Sequence, residues 1–316
     1  IEIPNFYIDF NAYYRGDKDY KSTTKDVQKL LLELKDENID GLIIDLRDNG
    51  GGSLKEANQL TGLFIKSGPV VQIKTKYRTT QLFDEDPSIE YTGPLIVLIN
   101  RMSASASEIF AGAIKDYHRG VIVGTRSFGK GTVQEMRELG KGKLKLTSAK
   151  FYRVSGDSTQ NLGIIPDLEY PHLYKIKDTG ESSLDGSLPW DTIAKTSYDA
   201  YPSLSLVNKK LHIDYQKRSL KDPGLNYLRK SVEMASRLDD EASLSLNLED
   251  RKFKKKQYEQ LEIDIENDYL KAIGKPSIEK LDQKNIKSDD FKKILMDQTY
   301  RIMADFIGLS KDLAFS

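Results

Sequence analysis

Cysteine is missing from all 316 residues. Its absence excludes disulfides, thiol catalysis and cysteine-based zinc sites. It suits the cytosol, and equally an oxidising envelope compartment where stray thiols are a liability. Histidine occurs only three times, so few imidazoles exist to act as general bases. A surplus of one charge sign is lacking too, because 48 Lys+Arg balance 48 Asp+Glu. Nothing in that balance argues for nucleic acid or an anionic membrane as partner. No apolar run approaches the ~20 residues that cross a bilayer. No cluster of ligand residues at metal spacing is visible, so neither metal nor other cofactor is expected. The chain starts at IEIPNF without initiator methionine or leader, and is expected to be a trimmed piece.

What is present suits a globular protein, with 38% hydrophobic and 30% charged residues and enough length for two domains. Residues 1–175 alternate short apolar runs with helical patterns. GLIIDLR (41–47), LIVLIN (95–100) and GVIVGT (120–125) are β-branched, short and bounded by turn residues, as buried strands are. Between them, TTKDVQKLLLELKDE carries Val27, Leu30, Leu31 and Leu34 at helical spacing, and SEIFAGAIKDYH reads as a second helix. Strands alternating with helices predict an α/β layer structure. Residues 176–190, rich in Gly, Ser and Asp, read as a linker. Residues 191–316 read as a mainly helical domain. There Tyr258, Leu261, Ile265, Tyr269 and Ala272 form one stripe that stops at Gly274, and a last helix spans about 289–307. SLSLNLE (243–249) has period two and predicts one strand among these helices.

Three serines on alternate positions precede the second helix, in SASASEIF (103–110). Ser105 with Glu108 fits the capping pattern S-x-x-E. The same position also faces unpaired N–H groups at the positive end of the helix dipole, where an attacking serine would be helped. A serine nucleophile needs a base. His118 ends the same helix, roughly 20 Å away at ~1.5 Å per residue, and cannot serve. His172 and His212 lie far along the chain.

Lys130 remains, between two glycines in SFGKGTVQ (127–134). It becomes a base where burial lowers its pKa, and it is an ordinary hairpin lysine otherwise. Gln134 can orient a neutral amine without holding the proton on it. An extended 130–134 places Lys130, Thr132 and Gln134 on one face, their ends ~13 Å apart at ~3.3 Å per residue, so direct contact requires a bend. DNGGGS (48–53) is either a plain strand-to-helix turn or half of an oxyanion hole, with the Ala106 N–H as the other half. A competing reading takes Gly124, Gly129 and Lys130 as a phosphate-binding loop, although position 131 is Gly where Ser or Thr is needed.

In combination, IIDLRDNGGGSL, INRMSASASEIFAGAIKDY, VGTRSFGKGTVQ and FYRVSGDSTQNLGIIPD resemble the tail-specific proteases, also called C-terminal processing peptidases. The likeness continues through SLPWDTI and the helical remainder, as in the longer periplasmic members. It implies an α/β core of the ClpP/crotonase-like spiral type and a serine endopeptidase acting near protein C-termini. By position the nucleophile falls on Ser105, the general base on Lys130 and the assisting glutamine on Gln134. The oxyanion donors fall on the backbone N–H groups of Ala106 and Gly51, with Gly52 as the alternative to Gly51. The resemblance further implies substrates with accessible C-termini, a periplasmic location and room for a regulatory protein partner. The PDZ domain usual in such enzymes is not found in these residues, which leaves an inactive or scaffold fragment as the rival reading.

Overall fold

The computed structural model describes residues 1–171, 178–239, 243–283 and 288–314. They divide into two compact units. The first contains Ile1–Glu169 and the described parts of Ile176–Lys209 and Met303–Ser316. The second contains the described parts of Tyr170–Lys175 and Lys210–Ile302.

The first unit runs α1 (Phe10–Tyr14), α2 (Thr23–Asp36), β1 (Leu42–Asp45), α3 (Leu54–Gly62), β2 (Gly68–Lys74) and β3 (Thr79–Asp84). It continues through β4 (Leu95–Ile99), α4 (Ala106–Asp116), β5 (Val121–Gly124), β6 (Thr132–Glu138), β7 (Lys143–Tyr152) and β8 (Leu168–Glu169). Two four-stranded sheets result, one parallel in the order β1-β4-β5-β8, the other antiparallel in the order β3-β2-β7-β6. The three apolar runs become the neighbouring parallel strands β1, β4 and β5. All five residues of β4 are buried, as befits a strand covered on both faces. Each such aliphatic side chain contributes about 1.5–3 kcal/mol. Helix α2 is capped by Ser22, whose side chain accepts from the Lys25 N–H, and it buries Val27 and Leu31. Leu30 faces solvent instead, so the stripe that packs is 27, 31, 34 rather than the four leucine and valine positions together.

Gly124 marks the end of β5. Its φ of +126° belongs to glycine, and a Cβ there would overlap the Ile99 carbonyl oxygen of the neighbouring strand. Gly124→Ala is therefore expected to lower stability by about 3 kcal/mol, read as the midpoint shift in urea unfolding. An unchanged midpoint would show that β5 tolerates the side chain.

The later helices are α5 (Ser205–Ser219), α6 (Pro223–Asp239), α7 (Leu248–Ala272) and α8 (Ser288–Ala314). In the second unit the Tyr227 ring stacks against Tyr269 and Phe291 at 5.0 and 5.8 Å, and its hydroxyl donates to Glu266. Buried Asp222 accepts from the Leu225 N–H, Gln298 and Arg301. The expected stripe on α7 is partly realised, with Ile265 buried but Leu270 and Glu266 in place of exposed Ala272. The strand expected at 243–249 does not form. Leu244 and Leu246 are exposed, and Asn247 instead caps α7 by accepting from the Glu249 N–H. Alternation of this kind makes a strand only where a partner strand and a face to bury exist. The last helix runs longer than expected, to Ala314.

Candidate active site

Parallel strands bring their carboxyl ends to one edge, where the loops that follow them meet. Here the loops after β1, β4 and β5 are DNGGGS, NRMSASAS and TRSFGKG, the three segments singled out in the sequence. They are tied to one another. Asn49, fully buried, accepts on its backbone oxygen from the Ala104 N–H (3.0 Å) and the Ser107 hydroxyl (2.9 Å). Its side chain donates to Ile3 O and accepts from the Gly51 N–H. Asn100 and Asp48 exchange two further bonds, at 3.0 and 2.8 Å.

The serines separate by role. Ser103 and Ser107 are fully buried and donate their hydroxyls to Leu46 O and Asn49 O. Only Ser105 lines the cleft. Its backbone sits at φ 57°, ψ −110°, a conformation that costs a non-glycine residue of order 1–3 kcal/mol and persists only where the surroundings enforce it.

Glu108 supplies that enforcement. Its side chain is fully buried in the first unit and accepts four hydrogen bonds. The Ser105 N–H (2.8 Å) and Lys130 N–H (2.9 Å) reach Oε2, while the Ser127 hydroxyl (2.6 Å) and Gly129 N–H (2.7 Å) reach Oε1. One carboxylate thus holds the backbone of Ser105 and of Lys130 together. Burial pushes its pKa up to about 7, against the pull of those bonds. The sequence showed Glu108 only as half of a capping pattern. Its reach to residues 127–130, about twenty positions on, left no local signal.

Lys130 is half-buried on the cleft wall. Burial lowers its pKa below the ordinary 10.5, the nearby Lys145 cation lowers it further, and Glu181 and Glu108 oppose both. Its loop is braced by buried Arg101, which donates to Thr179 O at 2.7 Å and to Ser127 O. The Glu181 N–H on Phe128 O and the Asn161 N–H on Gly129 O add to the brace. Gln134 lies on β6 and lines the same cleft. The β6–β7 ladder shifts register between Val133, opposite Ala149, and Gln134, opposite Thr147, leaving Ser148 as an extra residue. A bulge of this kind bends the ribbon.

The glycine run lies against the Ser105 segment. A Cβ on Gly51 would come within 2.8 Å of the Ser105 Cβ and 3.0 Å of the Ala106 nitrogen. The Gly51 N–H, however, is donated to Asn49 Oδ1 at 2.9 Å, which removes the donor expected at that position. Gly52 lines the cleft with Ala106, and no acceptor for its N–H is found among the described residues. The Ala106 N–H, in the first turn of α4, has no intrahelical acceptor.

The cleft encloses about 890 Å³. Phe6, Ile8, Leu82, Ile109, Val133 and Phe151 give it apolar walls, with Ser105, Lys130 and Gln134 as polar groups on them. The phosphate-loop alternative does not hold. After Lys130 the chain enters the antiparallel strand β6, so the helix N-terminus that such a loop needs is not there. Among the described residues no group of three or more potential ligands could hold a metal ion. No helix among them is long and apolar enough to cross a membrane.

Comparison with known proteins adds a second line of observation. Residues 1–170 match the model of peptidase family S41, and residues 174–308 match that of the C-terminal domain of tail specific protease. The tail-specific protease of Haemophilus influenzae is 37% identical over 327 residues, covering 99% of this chain and 45% of that protein. The carboxy-terminal-processing protease of Bartonella bacilliformis is 41% identical over 179 residues, covering 54% of this chain and 41% of that protein. A solved photosystem II D1 C-terminal processing protease is 32% identical, covers 53% of this chain and 41% of that one, and has a TM-score of 0.46. The chain thus spans less than half the length of these relatives.

Proposed function

Because this chain belongs to peptidase family S41, we propose that it is a serine endopeptidase that cleaves proteins near their C-termini. The observation that carries the reading is the shared cleft, on whose wall Ser105, Lys130 and Gln134 stand together. Ser105 attacks the peptide carbonyl. Neutral Lys130 takes its proton and returns it to the leaving amine. Gln134 orients the amine of Lys130. The Ala106 N–H and, in place of Gly51, the Gly52 N–H receive the oxyanion. Residues 1–169 carry this chemistry; the described part of 176–190, expected as a linker, belongs to the same unit, and the described parts of 210–302 make up the second, mainly helical unit. A periplasmic or other envelope location follows by analogy with the tail-specific proteases.

A serine-reactive fluorophosphonate probe tests the nucleophile. The expected result is one covalent adduct, mapped by mass spectrometry to Ser105 and missing from the Ser105→Ala protein. An adduct elsewhere would sink the assignment. Failure to label, together with failure to cleave an unfolded reporter protein, would favour a scaffold. The rate should also depend on pH. Lys130 acts only when deprotonated, and its pKa is lowered by burial. The kcat/KM for peptide cleavage is therefore expected to rise with pH along a limb centred below 10.5. A limb that falls over that range would contradict a neutral amine as base.

A further inference from the structure

The cleft wall carries three lysines, Lys55, Lys130 and Lys145, and no carboxylate. Two of the three have an evident task. Lys130 is the base in the reading above, and the Lys55 amine lies 3.3 Å from the centroid of the Tyr13 ring. Lys145 has none. It stands on β7 opposite Met136 of β6, two residues from the Gln134–Thr147 pair, and this register places it on the same face as Gln134. Two other cations of this hairpin have acidic neighbours: Lys143 meets Glu138 at 2.8 Å, and Arg137 meets Glu135 at 3.9 Å. Lys145 has no such partner among the described residues and is exposed to the cleft.

A cation on the rim of a largely apolar cleft, with no internal counter-ion, attracts an anionic group of whatever enters. We propose that Lys145 is a specificity residue that pairs with a carboxylate of the bound peptide, close to the bond that is cut. This deepens the protease reading and rests on it. Lys145 also faces Lys130 closely enough to disfavour its charged form.

The carboxylate could be a side chain or the free end of the substrate. The test uses fluorescence-quenched decapeptides with Glu, Gln or Lys placed singly around the cleaved bond, each with a free or an amidated C-terminus. For the parent protein we expect kcat/KM to favour Glu over Lys at one position by about tenfold. The Lys145→Glu protein should reverse that order. If the preference instead follows the free over the amidated end, and is lost in Lys145→Glu, the recognised carboxylate is the chain terminus. Equal kcat/KM across the peptides, or a preference that survives Lys145→Glu, overturns the proposal. The same peptides are titrated by fluorescence anisotropy into Ser105→Ala protein and its Lys145→Glu double variant. Should the parent cleave none of the peptides, the protease reading falls, and the titration alone decides whether Lys145 selects a carboxylate.

Discussion

Lys130→Met is expected to lower kcat for peptide cleavage by about 10³-fold or more, with little effect on folding. The magnitude follows from what is removed. A serine hydroxyl at neutral pH is a weak nucleophile, and the loss of its base costs the general-base contribution and most of what depends on it. Methionine keeps most of the length of the side chain and its apolar contacts but has no proton to exchange. Lys130 is half-buried, and its charge is disfavoured there by burial, so the thermal midpoint should stay within about 2 °C of the parent. The double variant Ser105→Ala, Lys130→Met should be no slower than Ser105→Ala alone, because residues that act as one unit are not additive. Parental activity in folded Lys130→Met would remove the lysine from the mechanism.

The second large effect belongs to Glu108, which touches no substrate. Glu108→Ala leaves the Ser105, Gly129 and Lys130 N–H groups buried with no acceptor. Bonds to a charged acceptor contribute about 1.5–3 kcal/mol each, and a buried group left unsatisfied costs about 1–3 kcal/mol. We expect stability to fall by about 4 kcal/mol and kcat by about 10²-fold, since a displacement of ~1 Å between the two segments is enough for that. Glu108→Gln should recover part of both, because the amide oxygen still accepts from one pair of donors. A pH profile separates positioning from mere support. With a pKa pushed up to about 7, Glu108 becomes protonated as the pH falls through that value. The carboxyl then presents a hydrogen to a shell made of donors. Parent activity should therefore decline with falling pH in two steps, one from Lys130 below 10.5 and one from Glu108 near 7. Glu108→Gln should keep only the lysine step. An identical profile in both proteins would leave Glu108 with a purely structural role.

The core strands and the main helices were legible because their signals are local. GLIIDLR, LIVLIN and GVIVGT are apolar at nearly every position their strands bury, Asp45 at the end of β1 being the exception, and each is closed by turn residues. Ser105 was legible as the start of α4 for the same reason. The 243–249 segment misled for the complementary one. Its alternating leucines describe a strand face, but no second strand comes to pair with it, and Asn247 begins a helix instead. Leu30 shows a smaller version of that limit, since helical spacing says which residues share a side and not how wide the covered stripe is.

The choice among the three serines was a matter of resemblance at the level of sequence, and in the fold the three differ in their surroundings. Ser103 and Ser107 are held by carbonyls of the β1 loop, 57 and 58 residues away in the chain, which no window around SASAS could reveal. The glycine run shows the same dependence on partners. Its suitability for a tight turn is written in the residues, yet which N–H remains free depends on the Asn49 side chain that takes the one on Gly51.

Composition, residue type and periodicity thus determined on their own what chemistry was available: no thiol, few imidazoles, lysines set between glycines at 130 and 141, and serines at a helix start. They determined as well that residues 1–175 would layer strands with helices. Only the tertiary structure decided which serine faces the cleft, that Glu108 binds the backbone of both Ser105 and Lys130, and that Lys145 stands beside Gln134. The reason is one of range. Backbone propensity and apolar period act within a turn or a strand pair. Hydrogen-bond acceptors and charged neighbours are delivered by chain segments tens of residues apart, which meet only when parallel strands align their ends.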